Sequence, residues 1–138
     1  MAKVSVSANF ATSAEQVWAL IGSFDGMADW HPAVERSELG AGGNLRRLGL
    51  AGGGEAVDRL VSHDDEKRIY RYFCVESPLP VAECAGAISV RVGEDGTGSI
   101  VEWSANFAPA GFSEHDSKSV IRSVYEAGMD NLRVILDE

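Results

Sequence analysis

Apolar and polar residues alternate with a period of two through the middle of the chain, then change to a helical period of about 3.6 at its end. Six stretches carry the alternation: Val34–Leu39, Leu45–Leu50, Glu55–His63, Ile69–Val75, Ala82–Val92 and Ser99–Phe107. Turn-forming runs separate them: Gly40-Ala-Gly-Gly-Asn44, Gly52-Gly53-Gly54, Asp64-Asp65-Glu66, Pro78-Leu79-Pro80 and Gly93-Glu-Asp-Gly96. Val4, Val6, Ala8 and Phe10 alternate in the same way, so Met1–Phe10 reads as a strand rather than as the continuous apolar core of a signal peptide. Ser13-Ala-Glu-Gln16 has the form of a capping box, which predicts a short helix over Ala14–Ile21 ending at Gly22. A second short turn or helix over Gly26–Trp30 is ended by Pro32.

The last element is the longest. Ile121, Val124, Tyr125, Gly128, Met129, Leu132, Ile135 and Leu136 fall within an arc of roughly 140° on a helical wheel, which predicts one amphipathic helix over Ser113–Leu136. Pro109 and Gly111 break the strand before it, Ser113 can cap it, and Glu114 and Asp116 sit where the helix dipole favours acids. Its length, about 36 Å, exceeds what a small core needs, so it must lie across a sheet. Gly128 stands inside the apolar stripe, where glycine costs about 1 kcal/mol relative to alanine. Two reasons for it stay open here: close packing, or room for a guest.

The order is therefore one strand, two short helices, about six hairpin-linked strands and one long helix. Strands and helices do not alternate, so the fold class is α+β, a single domain over residues 1–138 with an antiparallel sheet and helices on one side. A twisted sheet of about seven strands curves around whatever packs on it. A long helix held by such a sheet encloses a volume, which is a pocket wherever side chains do not fill it.

Composition narrows the partners. An apolar content of 45% is that of a folded globular chain. A net charge of −9, with no basic run larger than Arg46-Arg47 or Lys67-Arg68, argues against nucleic acid and against anionic membrane surfaces. No apolar run is long enough for a membrane span, and the expected location is cytoplasmic. The oligomeric state stays open between a monomer and a homodimer. Cys74 and Cys84 flank the Pro78-Leu79-Pro80 turn and fall opposite one another if a hairpin closes about Leu79, a geometry compatible with a disulfide. A reducing compartment favours free, mostly buried thiols instead.

Several chemistries are absent from the pattern. The glycines at 40, 42, 43, 49, 52, 53 and 54 form neither dinucleotide-binding nor phosphate-loop spacing and read as hairpin turns. His31, His63 and His115 are isolated, with no metal-ligand spacing, so no metal and no cofactor is expected. No nucleophile motif is present. Acid/base work is the open option. His31 lies between Trp30 and Pro32, Tyr70 and Tyr72 share one face of a strand, and Asp58 on the neighbouring strand points inward or outward, a choice that alternation alone leaves undecided. Together these could move a proton inside an apolar site. Equally, His31 could end a surface turn while the tyrosines pack. Trp103 and Phe107 share one face of the last strand, as Ile88 and Val90 do in the strand before.

Four segments carry a resemblance: Ala14-Glu-Gln-Val-Trp-Ala-Leu-Ile21, Trp30-His31-Pro32, Glu76-Ser-Pro-Leu-Pro80, and Trp103-Ser-Ala-Asn-Phe107-Ala-Pro109 before the final helix. With them the whole chain resembles the START/Bet v 1-like (SRPBCC) superfamily, in its polyketide cyclase/dehydrase and lipid-transport branch. The resemblance implies a helix-grip fold with a deep apolar cavity between sheet and final helix, and no metal or nucleotide cofactor. It implies Trp30, Asp58, Tyr72, Ile88, Trp103, Phe107, Val124, Tyr125, Gly128 and Leu132 as ligand-binding residues, with His31 and Tyr70 as candidate catalytic groups. Three functions follow as expectations: a carrier or binding module for a small hydrophobic molecule, a cyclase or dehydratase acting on a polyketide-like substrate, or a partner-binding protein using the long helix, which would leave the cavity filled.

Overall fold

A computed structural model describing Met1–Glu138 places seven strands in one antiparallel sheet. They are β1 (Ala2–Phe10), β2 (Val34–Leu39), β3 (Leu45–Leu50), β4 (Glu55–Asp64), β5 (Ile69–Glu76), β6 (Val81–Val92) and β7 (Ser99–Pro109). The helices are α1 (Ala14–Ile21) and α2 (Glu114–Ile135). The second short helix expected near Gly26–Trp30 is a single 3₁₀ turn, Met27–Asp29. Both helices start as their sequences suggest. The Ser13 hydroxyl accepts from the Gln16 amide at 3.2 Å and the Ser113 hydroxyl from the Asp116 amide at 3.1 Å.

The spatial order is β1-β7-β6-β5-β4-β3-β2. Strands β2 to β7 form a meander, and β1 returns to pair with β7 along its whole length, from Ala2 opposite Phe107 to Phe10 opposite Ser99. The two edges are thus β1 and β2, consecutive strands at opposite ends of the sheet. α1 and the 3₁₀ turn carry the chain between them. Register shifts in β2, β4 and β6 mark bulges that add twist and curvature.

α2 does not cover the concave face evenly. It packs on β1 and β7 and makes no comparably close backbone approach to β3, β4 or β5. Its apolar stripe divides accordingly. Gly128, Met129 and Leu132 are buried in the packed half, whereas Ile121, Val124 and Tyr125 border a cavity. At the far end the stripe frays, with Ile135 43% exposed.

Gly128 answers the question its sequence raised. A Cβ built there would lie 2.9 Å from both the His31 ring and the Trp30 ring and 3.2 Å from the Trp103 ring. The missing side chain is therefore replaced by aromatic rings of the protein itself and not by a guest. Gly128→Leu is expected to destabilise the fold by about 1–3 kcal/mol through overpacking, whereas Glu126→Leu on the exposed face should stay within about 0.5 kcal/mol. Urea denaturation of the two variants checks this, and equal stability would show that the rings yield.

Candidate ligand cavity

The cavity lies between the uncovered half of the sheet and the N-terminal half of α2. It has a volume of about 350 Å³ and is lined by 22 residues, 16 of them hydrophobic. Inward positions follow from alternation along each strand. Arg46, Leu48 and Leu50 come from β3, Ala56 and Asp58 from β4, Tyr72 and Cys74 from β5, Cys84 from β6, and Trp103 from β7. Met27, His31 and Val34 close one side and Ile121, Val124 and Tyr125 the other. Beyond the strand ends, Ala51 and Gly53 from the loop joining β3 to β4, and Ser77, Pro78 and Leu79 from the loop joining β5 to β6, form the mouth-side lining. Gly52, Gly53 and Gly54 all have positive φ, at 83°, 101° and 96°, a run that only glycine adopts without strain.

The polar floor is a buried ion pair. Arg46 and Asp58 face each other directly across β3 and β4, and both Nε and Nη2 of Arg46 lie 2.9 Å from Asp58 Oδ2. Arg46 Nη1 donates to the Phe24 carbonyl at 2.9 Å and to the Tyr70 hydroxyl at 3.2 Å. The guanidinium also lies over the Phe24 ring, 4.4 Å from its centroid. Burial alone would lower the Arg46 pKa, but Tyr70, Asp58 and Tyr72 outweigh it and the net direction is up. Burial pushes Asp58 up, opposed by Arg46. Two guanidinium donors converging on one oxygen call for an anion there, so the pair is read as ionised, with burial making its separation expensive.

Beside the ion pair stands an aromatic wall. Trp103 and Tyr125 stack with centroids 4.0 Å apart and planes inclined by 12°. Trp103 Nε1 donates to the Tyr72 hydroxyl at 2.8 Å. Burial raises the pKa of both Tyr72 and Tyr125, so both are neutral hydroxyls at physiological pH.

His31 lines the cavity but has both ring nitrogens in use. Nδ1 accepts from the Ala33 amide at 3.1 Å, which leaves the proton on Nε2 to be donated to the Val124 carbonyl at 2.8 Å. Burial lowers its pKa, and the bond to Val124 only partly offsets this. Tyr70 is fully buried behind the floor, against Arg46, and does not border the cavity. The structure brings together Asp58, Tyr72, Trp103, Val124, Tyr125 and His31 at the cavity. It places Trp30, Ile88, Phe107, Gly128 and Leu132 in the packed core instead, because α2 closes down over β1 and β7.

Arg46 was missed by sequence reading, although a signal existed. It stands two residues before Leu48, so it shares the inward face of β3, and it pairs in register with Asp58. A buried charge on one strand opposite its counter-charge on the next is an inward pair. Met27, Leu48, Leu79 and Val81 were also missed, since their lining role depends on where α2 is absent.

The fold and the cavity define a helix-grip protein with an apolar ligand-sized space. Residues 1–136 match the family described as polyketide cyclase / dehydrase and lipid transport, and the chain belongs to that family. Among solved structures it is similar to a putative uncharacterized protein from Bacillus thuringiensis, with 32% identity, a TM-score of 0.95, and 99% of this chain and 100% of the other covered. It is also similar to the protein XoxI from Bacillus cereus, with 33% identity, a TM-score of 0.94, and 98% and 95% covered. A START superfamily protein from Mycobacterium smegmatis shares the fold at 12% identity and a TM-score of 0.79, with 99% and 98% covered. No curated protein matches the chain. No helix is long and apolar enough to cross a membrane.

Two predictions arise from the site. Removing one member of the buried pair strands the other, so Asp58→Asn should cost about 3–5 kcal/mol, and Arg46→Met combined with Asp58→Leu should cost less than that single change. Chemical denaturation of the three proteins tests this; a double variant worse than Asp58→Asn would overturn it. For His31 the folded pKa lies below its unfolded value of 6.5. The unfolded chain then takes up the proton first, so the contribution is present above 6.5 and is lost as pH falls through the window beneath it. The urea midpoint should fall with pH in that window, and less steeply in His31→Gln.

Proposed function

We propose that the protein binds and carries a small, largely apolar molecule with an aromatic or similarly flat body and one neutral polar end. The observation that carries this reading is the cavity itself, apolar on most of its wall and polar at one floor, within the usual size range of small-molecule sites. A dry void of such size would cost several kcal/mol at about 24 cal/mol per Å³, and apolar walls hold water poorly. The stacked Trp103 and Tyr125 rings offer a flat surface. Because Asp58 neutralises Arg46, the floor does not demand an anion; it suits a hydroxyl or carbonyl able to bond with Tyr72 or Tyr125.

A cyclase or dehydratase reading has one supporting observation: Asp58, whose pKa is raised by burial, lines the same cavity as Tyr72 and Tyr125. Its weakness is that the Arg46 donors, Asp58 and both His31 nitrogens are already engaged in the fold. His31 is accordingly read as a positioning residue, tying the start of β2 to α2, and Tyr70 as a support for Arg46. The long helix as a partner surface has no comparable support, since its outward positions include Arg122, Glu126 and Asp130 and the cavity is not filled. All walls come from one chain, so binding needs no second copy, and the two free thiols suit a reducing, cytoplasmic setting.

Native mass spectrometry of gently purified protein is expected to reveal a co-purified small molecule. Val124→Trp, which places an indole at the cavity edge, should weaken its retention at least about tenfold, or about 1.4 kcal/mol, without lowering the melting temperature. Retention unchanged by the tryptophan would place the ligand elsewhere. Conversion of the co-purified molecule by the parent but not by Tyr72→Phe would favour the enzyme.

A further inference from the structure

Two cysteines share the cavity wall, and neither the floor nor the aromatic wall uses them. Cys74 on β5 and Cys84 on β6 are free, and both line the cavity. The paired stretch of β5 and β6 ends at Phe73 opposite Ala85, and Cys74 and Cys84 are the residues one step beyond it on the two strands. Residues one step beyond a paired position lie within reach of the Cα separation of about 4.4–6.8 Å that a disulfide spans. The interaction between the two thiols pushes the Cys74 thiol up and the Cys84 thiol down. Cys84 itself lies in an irregular stretch of β6: a bulge falls between Ala82 and Ala85, and Glu83 has a φ of 51°. A local irregularity of this kind can absorb the small adjustment that bond formation requires.

We infer that Cys74 and Cys84 form an oxidisable dithiol inside the cavity, which a small neutral hydroperoxide entering by the mouth converts to a cross-strand disulfide. The Cys84 thiolate, favoured by its interaction with Cys74, attacks one peroxide oxygen. The O–O bond breaks, a hydroxide departs and takes up a proton as water, and Cys84 becomes a sulfenic acid. Cys74 then attacks the Cys84 sulfur. Its proton passes to the departing hydroxide, which leaves as a second water. In sum, two thiols and one hydrogen peroxide give one disulfide and two waters, with two electrons moving from sulfur to oxygen. The same spacing suits a trivalent arsenical, whose arsenic condenses with both thiols and releases one water without any change of oxidation state. The inference uses the cavity as a route of access and not the ligand reading: loss of a co-purified molecule and loss of dithiol chemistry are separate results.

The test uses the full chain. After hydrogen peroxide, the intact mass should fall by two hydrogen atoms, peptide mapping should show Cys74 joined to Cys84 within one chain, and dithiothreitol should reverse both. Phenylarsine oxide should add once per reduced chain, fail to add to the oxidised chain, and fail to add stably to Cys74→Ser or Cys84→Ser proteins whose near-ultraviolet circular dichroism is unchanged. Oxygen additions on separate cysteines, disulfides between chains, or no reaction with either reagent in the folded protein would overturn the inference.

Discussion

The contact between α2 and the aromatic cluster at Trp30, His31 and Trp103 governs the rest of the architecture. Gly128 lets the helix come down on these rings, at distances where a methyl group would already collide. The contact is reinforced from both sides: the His31 ring donates to the Val124 carbonyl, and the Asn131 amide donates to the Trp30 carbonyl at 2.7 Å. The segment that crosses from β1 to β2 is thereby locked to the helix at one level. Below that level the helix is packed. Above it, the curved sheet and the straight helix diverge, and the space between them is the cavity.

That divergence explains why the cavity has a polar floor. β3 and β4 lie far from α2, so their inward side chains have no helix to pack against. Arg46 and Asp58 fill part of the gap as a pair that satisfies itself, supplemented by the Phe24 carbonyl and the Tyr70 hydroxyl. A buried ion pair is weak evidence for stability, since apolar residues of like volume often do as well. Its position, at the base of an otherwise apolar space, gives the cavity one polar end.

Much of this was legible along the chain. The strands, α1, α2 and their caps follow from periodicity and from turn and capping residues, which act through local geometry. The hairpin about Leu79 followed from its flanking prolines, and Phe73 pairs with Ala85 across it. The orientation of Asp58 was not readable, because alternation gives two faces without saying which is buried; Arg46, its partner in register, settles the matter. Trp30, Ile88, Phe107, Gly128 and Leu132 were expected at the cavity for the same reason that they are in the core: an apolar face toward α2 looks identical whether the space beyond it is filled or empty.

By itself, then, the sequence determined the fold class, the order of elements and the apolar faces. These depend on local propensity and periodicity, both of which are set by near neighbours in the chain. Only the tertiary structure decided where the sheet and α2 part company, that Arg46 meets Asp58 beneath the gap, and that His31 spends both nitrogens on the fold. Those outcomes rest on contacts between residues distant in sequence, some separated by nearly the whole chain, and on the curvature that the assembled strands acquire together.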